Sequence, residues 1–322
     1  MPKKDEYIFT EEVQQQTEGF KEYLQKQHLD PNTIRQKSNY AGYYLNWCET
    51  EHLGATEVRY NDLLNFIDYC RVEGKTGHHI NTMLRAIRNY HEYLKLSNPN
   101  IINPAKNLNL KGKRQKVISG VIPIEELESL YQSYETLTLR GKRNKTILGL
   151  FIYQGITTEE LSRIEPSHLK LKEGKICIPG NRRRNSRILE LMPFQILELH
   201  DYINEIKPKI LEEITTPKPA RMPNEINQRR IENQLFISIN GSENIKNSLW
   251  HLFKAIKKTY PDITSAEQIR KSIIVNWLKH YNLRQVQYMA GHKYVSSTER
   301  YQSNNLENLQ SKLEKYHPLN NL

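Results

Sequence analysis

The chain has 322 residues, long enough for two domains with cores of their own, which excludes a single small module. Lys and Arg number 47 against 36 Asp and Glu, a formal charge of +11, so an anionic partner is expected. No apolar run approaches the ~18 residues of a membrane span, and the start, MPKKDEYIFTEEV, has no apolar stretch of a secretory signal, so a cytoplasmic protein with no membrane partner is expected. Three scattered cysteines, Cys48, Cys70 and Cys177, form no CxxC pair and read as reduced fillers of apolar sites rather than a disulfide or a thiolate metal site.

After a tail at 1–9, four amphipathic helices are expected over 10–100. The first, near 10–27, starts at Thr10 ahead of two glutamates, which suit the positive end of a helix. Asp30-Pro31, a cap followed by proline at the first helical position, opens the second. The third covers about 60–72, with Leu63, Leu64, Phe66, Ile67 and Cys70 as its apolar stripe, and stops before Gly74. The fourth follows Thr76 and sets Ile80, Met83, Leu84, Ile87, Tyr90 and Leu94 on one face, with His78, His79, Arg85, Arg88 and Asn89 on the other. Residues 101–118, rich in Asn, Pro and Lys, read as a linker whose cations Lys111, Lys113, Arg114 and Lys116 could follow a phosphate backbone.

From 119 to 322 a second, mixed domain is expected. Helices near 123–135 and 142–153 precede three short strands at 169–171, 175–179 and 188–191, the last two joined by the loop GNRRRNSR. Helix resumes at 193–206, the proline-broken stretch 215–230 reads as a surface insertion, and helices follow at 246–259, 266–280, 283–290 and 305–315.

No P-loop, GxGxxG, HExxH or GxSxG is present, which removes the common nucleotide, zinc and serine-hydrolase readings. The informative segment is 265–302. Arg270 lies on a helix with Ile269, Ile273, Ile274 and Trp277, while Gly291 ends the next helix directly before His292, and Tyr301 comes nine residues later. An arginine to hold non-bridging phosphate oxygens, a histidine to donate to them or move a proton, and a phenol to attack phosphorus are what phosphodiester transesterification requires.

These motifs resemble the tyrosine recombinases, the Xer and phage-integrase family. YQGITTEELSRI resembles the family's first catalytic box, EGKICIPGNRRRNSRILEL its β-hairpin, EQIRKS its HxxRH box and YMAGHKYVSSTERY the box with the nucleophile. Nearer the N-terminus, DPNTIRQKSNYAGYYLNWCE, RAIRNYHEYL and INPAKNLNL resemble the core-binding domain and its exit. The resemblance implies a mainly α protein, with an N-terminal four-helix core-binding (SAM-like) domain and a C-terminal mixed α/β catalytic domain holding a small antiparallel sheet. It further implies a clamp on duplex DNA, the chain acting as a homo-oligomer, a tetramer on two paired sites, with a C-terminal helix in 306–316 docking on a neighbour. Tyr301 would form a 3′-phosphotyrosyl link, Arg270 and His292 would hold the phosphate, and Glu160 would be the acidic residue of the first box, without metal or other cofactor. DNA contacts are expected from His79, Arg85, Arg88, Lys111, Lys113 and Arg114, major-groove readout from the helices at 77–95 and 246–259, and nucleoid association when bound.

Three positions depart from the family pattern: Thr157 stands where it has its first arginine, Glu267 where it has the histidine of HxxR, and Asn181 at the hairpin lysine. Both Thr157-x-x-Glu160 and Thr264-x-x-Glu267 also read as helix capping boxes. Arg182, Arg183 and Arg184, and less strongly Lys271, are the cations expected to replace the missing charge. A second reading is an integrase-derived DNA-binding protein or regulator with weakened chemistry.

Overall fold

The computed structural model describes residues 9–111, 119–215, 231, 233–239, 241–242 and 244–302. The chain divides into two units, Met1–Gln115 and Lys116–Leu322.

The first unit is a bundle of α1 (Glu11–Lys26), α2 (Pro31–Thr50), α3 (Tyr60–Val72) and α4 (Gly77–Leu94). Its starts are chemically marked: Thr10 Oγ1 accepts from Val13 N, Asp30 Oδ1 from Asn32 N and Thr76 Oγ1 from His79 N. Such caps satisfy otherwise orphaned N–H groups, each contributing about 1 kcal/mol. The core is aromatic: Phe66 meets Tyr44 edge-on at 5.6 Å and Trp47 at 5.3 Å. Cys48 and Cys70 are free and buried in it.

Three expectations change here. Leu64 is 39% exposed and lies off the apolar stripe that Leu63, Phe66, Ile67 and Cys70 form. The linker starts later than expected, because 103–110 pack back on α4: Ala105 and Leu108 are buried in this core, and Asn81 bonds both the N–H and the carbonyl of Leu110. Arg88 takes part in that packing. Its Nε donates to the Ala105 carbonyl and its Nη2 to that of Leu108, so these N–H groups are committed inside the unit.

The second unit contains α5 (Ile124–Ser133), α6 (Leu139–Tyr153), the single turn α7 (Thr158–Leu161), and strands β1 (Leu169–Lys170), β2 (Lys175–Ile178) and β3 (Arg187–Glu190). The sheet is antiparallel in the order β1-β2-β3, with Ile176 opposite Leu189 and Ile178 opposite Arg187. β3 begins one residue earlier than expected. Alternation then turns Arg187 and Leu189 inward and Ile188 and Glu190 outward. The helix expected at 193–206 is α8 (Pro193–Asp201), which passes through a π-helical turn at Tyr202–Ile206 into α9 (Lys207–Thr215). α10 (Lys246–Thr259), α11 (Ala266–His280), α12 (Leu283–Ala290) and the short α13 (Ser296–Glu299) complete the unit. The buried hydrophobic residues of α6, β2, α10 and α11 share one core, which also takes in Tyr301. The insertion at 216–230, Lys113, Arg114 and Lys116 of the linker, and the helix expected at 305–315 lie outside the described residues.

Candidate active site

The site is assembled from three segments separated in sequence. The first is the turn into α7. Thr157 caps it: its hydroxyl accepts from Glu160 N at 3.2 Å, while its own N–H and hydroxyl reach Glu160 Oε2 at 2.8 and 2.9 Å. The second expected box is shifted by one residue. Ser265, not Thr264, caps α11 by accepting from Gln268 N, and Thr264 bonds the Gln268 side chain. Glu267 is left on the surface, 3.5 Å from Lys271. Lys271 itself is not on the cleft wall, although its partner Glu267 is.

The second segment is the β2–β3 hairpin. Asn181 shapes its tip, accepting from Arg183 N on Oδ1 and donating from Nδ2 to Glu159. The tip is stitched to the Gly291–His292 turn: Arg184 bridges His292 in antiparallel fashion, and Asn185 N donates to the Gly291 carbonyl. Arg183 and Arg184 thereby line the cleft, whereas Arg182 does not.

The third segment runs from α11 through α12 to Tyr301. Gly291 ends α12 at φ +64°, the left-handed conformation glycine permits, and turns the chain so that His292 faces back toward α11. His292 Nδ1 lies 2.8 Å from Thr298 Oγ1, and Nε2 lies 3.4 Å from Arg270 Nη2. A guanidinium only donates, so Nε2 accepts and Nδ1 carries the proton, a tautomer assigned from these partners. Burial first, then the charges of Arg270, Arg184, Arg300 and Arg187, push His292 down to about 3, so it is neutral at physiological pH. Tyr301 is 4% exposed, its ring lying along that of His292 at 6.0 Å and 18°, and Arg300 Nη2 donates to its hydroxyl at 3.3 Å.

Arg270 is the hub. Its Nη1 donates to the Gly155 carbonyl and its Nη2 to the Ala290 carbonyl, so one side chain ties the first box to the end of α12. Burial, followed by the neighbouring Arg184 and Arg187 against the pull of Glu160, presses its pKa to about 9, still cationic at neutral pH. Glu160 lies beneath, with no exposed side-chain surface, 3.9 Å from Arg270 Nη1. Its partner is Arg187, also without exposed side-chain surface, at 2.6 Å to Oε1 and 3.3 Å to Oε2. Burial alone would raise the Glu160 carboxyl, but the hydrogen bond and charge of Arg187, then Arg270 and the Thr157 N–H, hold it at about 2.

Tyr301, Arg270, His292, Arg183 and Arg184 thus share one cleft of about 630 Å³, with Lys246, Lys293, Trp250 and Tyr294 also on its walls. Glu160, expected among the catalytic residues, is sealed behind the two guanidinia and does not line the cleft. Arg187 and Arg300 were missed from sequence. Arg187 had a signal in strand parity, since it alternates with Leu189 and Leu191, both buried; Arg300 had only its place beside Tyr301. In the first unit Arg85 and Lys111 are exposed, and His79 is half-buried against Tyr40.

The phage integrase family model matches residues 121–308, more than half the chain. The tyrosine recombinase XerD of Listeria innocua is 23% identical over 302 residues, covering 90% of this chain and 94% of that protein. The tyrosine recombinase XerA of Thermococcus onnurineus is 20% identical over 319 residues, covering 95% and 96%. Among solved structures, the XerH site-specific recombinase in its post-cleavage complex with palindromic difH substrate aligns with a TM-score of 0.62 at 19% identity over 84% of this chain and 75% of that one. The Tn1549 transposon integrase in complex with transposon right-end DNA aligns at 0.60 and 13% identity over 95% and 99%. The chain belongs to the phage integrase family of tyrosine recombinases.

Proposed function

We propose that the protein is a site-specific recombinase or integrase that cleaves and rejoins duplex DNA through Tyr301. The observation that carries this is the convergence of Tyr301, Arg270 and His292 on one cationic cleft, although they come from different elements. Arg270 and Arg184 hold non-bridging oxygens of the scissile phosphate, where fixed donors are worth about 10²- to 10³-fold each in rate. Tyr301 Oη gives up its proton as it attacks phosphorus, the bond to the 5′ oxygen breaks, that oxygen takes up a proton and leaves as a hydroxyl, and the protein is left joined to the 3′ phosphate. Attack by a 5′ hydroxyl reverses the step, so the phosphodiester is restored without an external energy source. His292, neutral and held by Thr298, acts as a hydrogen-bonding group rather than as an imidazolium donor.

The helical unit supplies phosphate contacts from Arg85, His79 and Lys111, with Arg88 holding its own fold, and α10 supplies Lys254, Lys257 and Lys258 beside the exposed Trp250. Such contacts make affinity steeply salt-dependent. The working form is a tetramer on two paired sites, acting on DNA in the cytoplasm and associated with the nucleoid when bound. Among the described residues no helix is long and apolar enough to cross a membrane.

The test is covalent trapping on a nicked suicide duplex, comparing the unaltered protein with Tyr301→Phe. A protein–DNA adduct that vanishes in the variant supports the reading. Equal, salt-sensitive DNA binding by both proteins with no adduct from either contradicts it and favours the DNA-binding regulator.

A further inference from the structure

We propose that Arg187 is a positioning residue for strand cleavage: by matching the charge of Glu160 from below, it leaves the positive charge of Arg270 uncompensated and aimed into the cleft. This rests on the Tyr301 reading of the same site.

Among the described residues, the ion pairs of both Arg187 and Arg270 run to one carboxylate, Glu160. The two arginines hold it unequally: Arg187 forks onto both oxygens at 2.6 and 3.3 Å, whereas Arg270 stands 3.9 Å from Oε2. Arg270 instead spends its hydrogen bonds on the Gly155 and Ala290 carbonyls and approaches His292 Nε2, neutral partners that orient the guanidinium without cancelling its charge. Without Arg187, the nearest cation to a buried, ionised Glu160 is Arg270. In that desolvated place the pair would close, drawing Arg270 off the two carbonyls and neutralising the charge meant for phosphate.

Two further features separate this from simple packing. Arg187 stands at an inward position of β3, where its neighbours in parity are leucines, and its Nε is buried with no hydrogen-bond partner. An aliphatic side chain there would carry no such cost, and buried ion pairs are commonly replaceable by apolar groups without loss of stability. The guanidinium also sets the height of the histidine turn: a Cβ at position 291 would lie 2.5 Å from Arg187 Nη1, so only glycine leaves it room beneath His292. Thr157, at the position whose side chain faces the cleft from the first box, is uncharged, and the residues of that box on the cleft wall, Thr157, Thr158 and Glu159, include no cation.

The experiment compares the unaltered protein, Arg187→Gln, Glu160→Gln and the double variant. Cleavage rate is measured at saturating suicide duplex, together with DNA affinity and melting temperature. Arg187→Gln should cleave about 10²-fold more slowly with DNA affinity nearly unchanged, and the double variant, having no buried carboxylate to divert Arg270, should regain at least about tenfold of that loss. A purely structural role would show as rate losses and gains that follow the melting temperature, so the rates are compared at a temperature where all four proteins are fully folded. A double variant no faster than Arg187→Gln, or an Arg187→Gln protein as fast as the unaltered one, overturns the proposal. Should Arg187→Gln fail to fold, the apolar Arg187→Met replaces it under the same criterion. Should the unaltered protein form no adduct, the Tyr301 reading has failed, and inorganic phosphate becomes the probe of this pairing. Phosphate should raise the melting temperature, less so in Arg187→Gln and again in the double variant; no such pattern overturns the proposal.

Discussion

In the helical unit the buried polar pair is Tyr44 with His91, two neutral groups 3.1 Å apart inside an aromatic core. In the catalytic unit it is Glu160 gripped by Arg187, with Arg270 above, three charges in a space from which water is excluded. The first arrangement buries no charge, its cost being His91 Nδ1, which is buried without a hydrogen-bond partner. The second holds an excess positive charge against desolvation, the state in which an incoming phosphate is most strongly attracted. One unit is therefore expected to tolerate polar-to-apolar change, while the other should lose chemistry before it loses its fold.

The sharpest way to break this contrast is at Arg270. Arg270→Gln removes the tie between the Gly155 and Ala290 carbonyls, and is expected to lower cleavage by about 10²- to 10³-fold and stability by about 3 kcal/mol, read by suicide-substrate kinetics and urea melts. A variant as active as the parent would show that Arg270 only packs. At the hairpin, Arg184→Ala should reduce cleavage by about 10²-fold, whereas Arg182→Ala, off the cleft wall, should leave the rate within about twofold and weaken DNA binding alone. Equal rate losses for the two would mean that the triplet acts as an undifferentiated basic patch.

Acid should sharpen the comparison through stability. His91 is held down to about 4 and His292 to about 3, both chiefly by burial, against an ordinary value of 6.5. The unfolded chain then takes up protons below pH 6.5 that the native protein refuses, so stability falls as pH drops through that window, by at most about 1.4 kcal/mol per pH unit for each histidine. Glu160, at about 2 instead of 4.5, contributes stability that is present above pH 4.5 and lost as pH falls toward 2. Melting temperature should be flat near pH 7.5 and decline from 6.5 to 4.5, with His91→Gln removing the share of the helical unit. A flat profile over that range would contradict the burial of neutral histidines.

How far the sequence carried this picture varies by residue. Caps at Thr10, Asp30 and Thr76 and the ends of α10, α11 and α12 obey local rules and were legible. The Gly291–His292–Tyr301 spacing carried the chemistry because a left-handed glycine and a helix end are local too. Ser265 was missed as a cap because Thr264 is one residue away and equally suited; the choice is made by Gln268, which also reaches the Gly120 carbonyl far along the chain. Arg187 was missed for a stronger reason. Its pairing with Glu160 joins a strand to a helix turn 27 residues earlier, and the strand parity that turns it inward with Leu189 does not say which carboxylate it meets. Long-range charge pairing of this kind becomes visible only once the hairpin is placed on the turn.

The smallest effects lie on α4 of the helical unit. Arg88→Ala should lower stability by about 1–2 kcal/mol through its lost bonds to Ala105 and Leu108. Arg85→Ala should leave melting unchanged and reduce the slope of log affinity against log salt by about 0.9.

The measurement that tests the central claim most directly is mass spectrometry of the trapped adduct after digestion with nuclease and protease. The account predicts a nucleotide on the peptide containing Tyr301, the phenol held against His292 and Arg300. A nucleotide on Tyr294, which also lines the cleft and is 67% exposed, would contradict it and move the nucleophile out of the buried charge set.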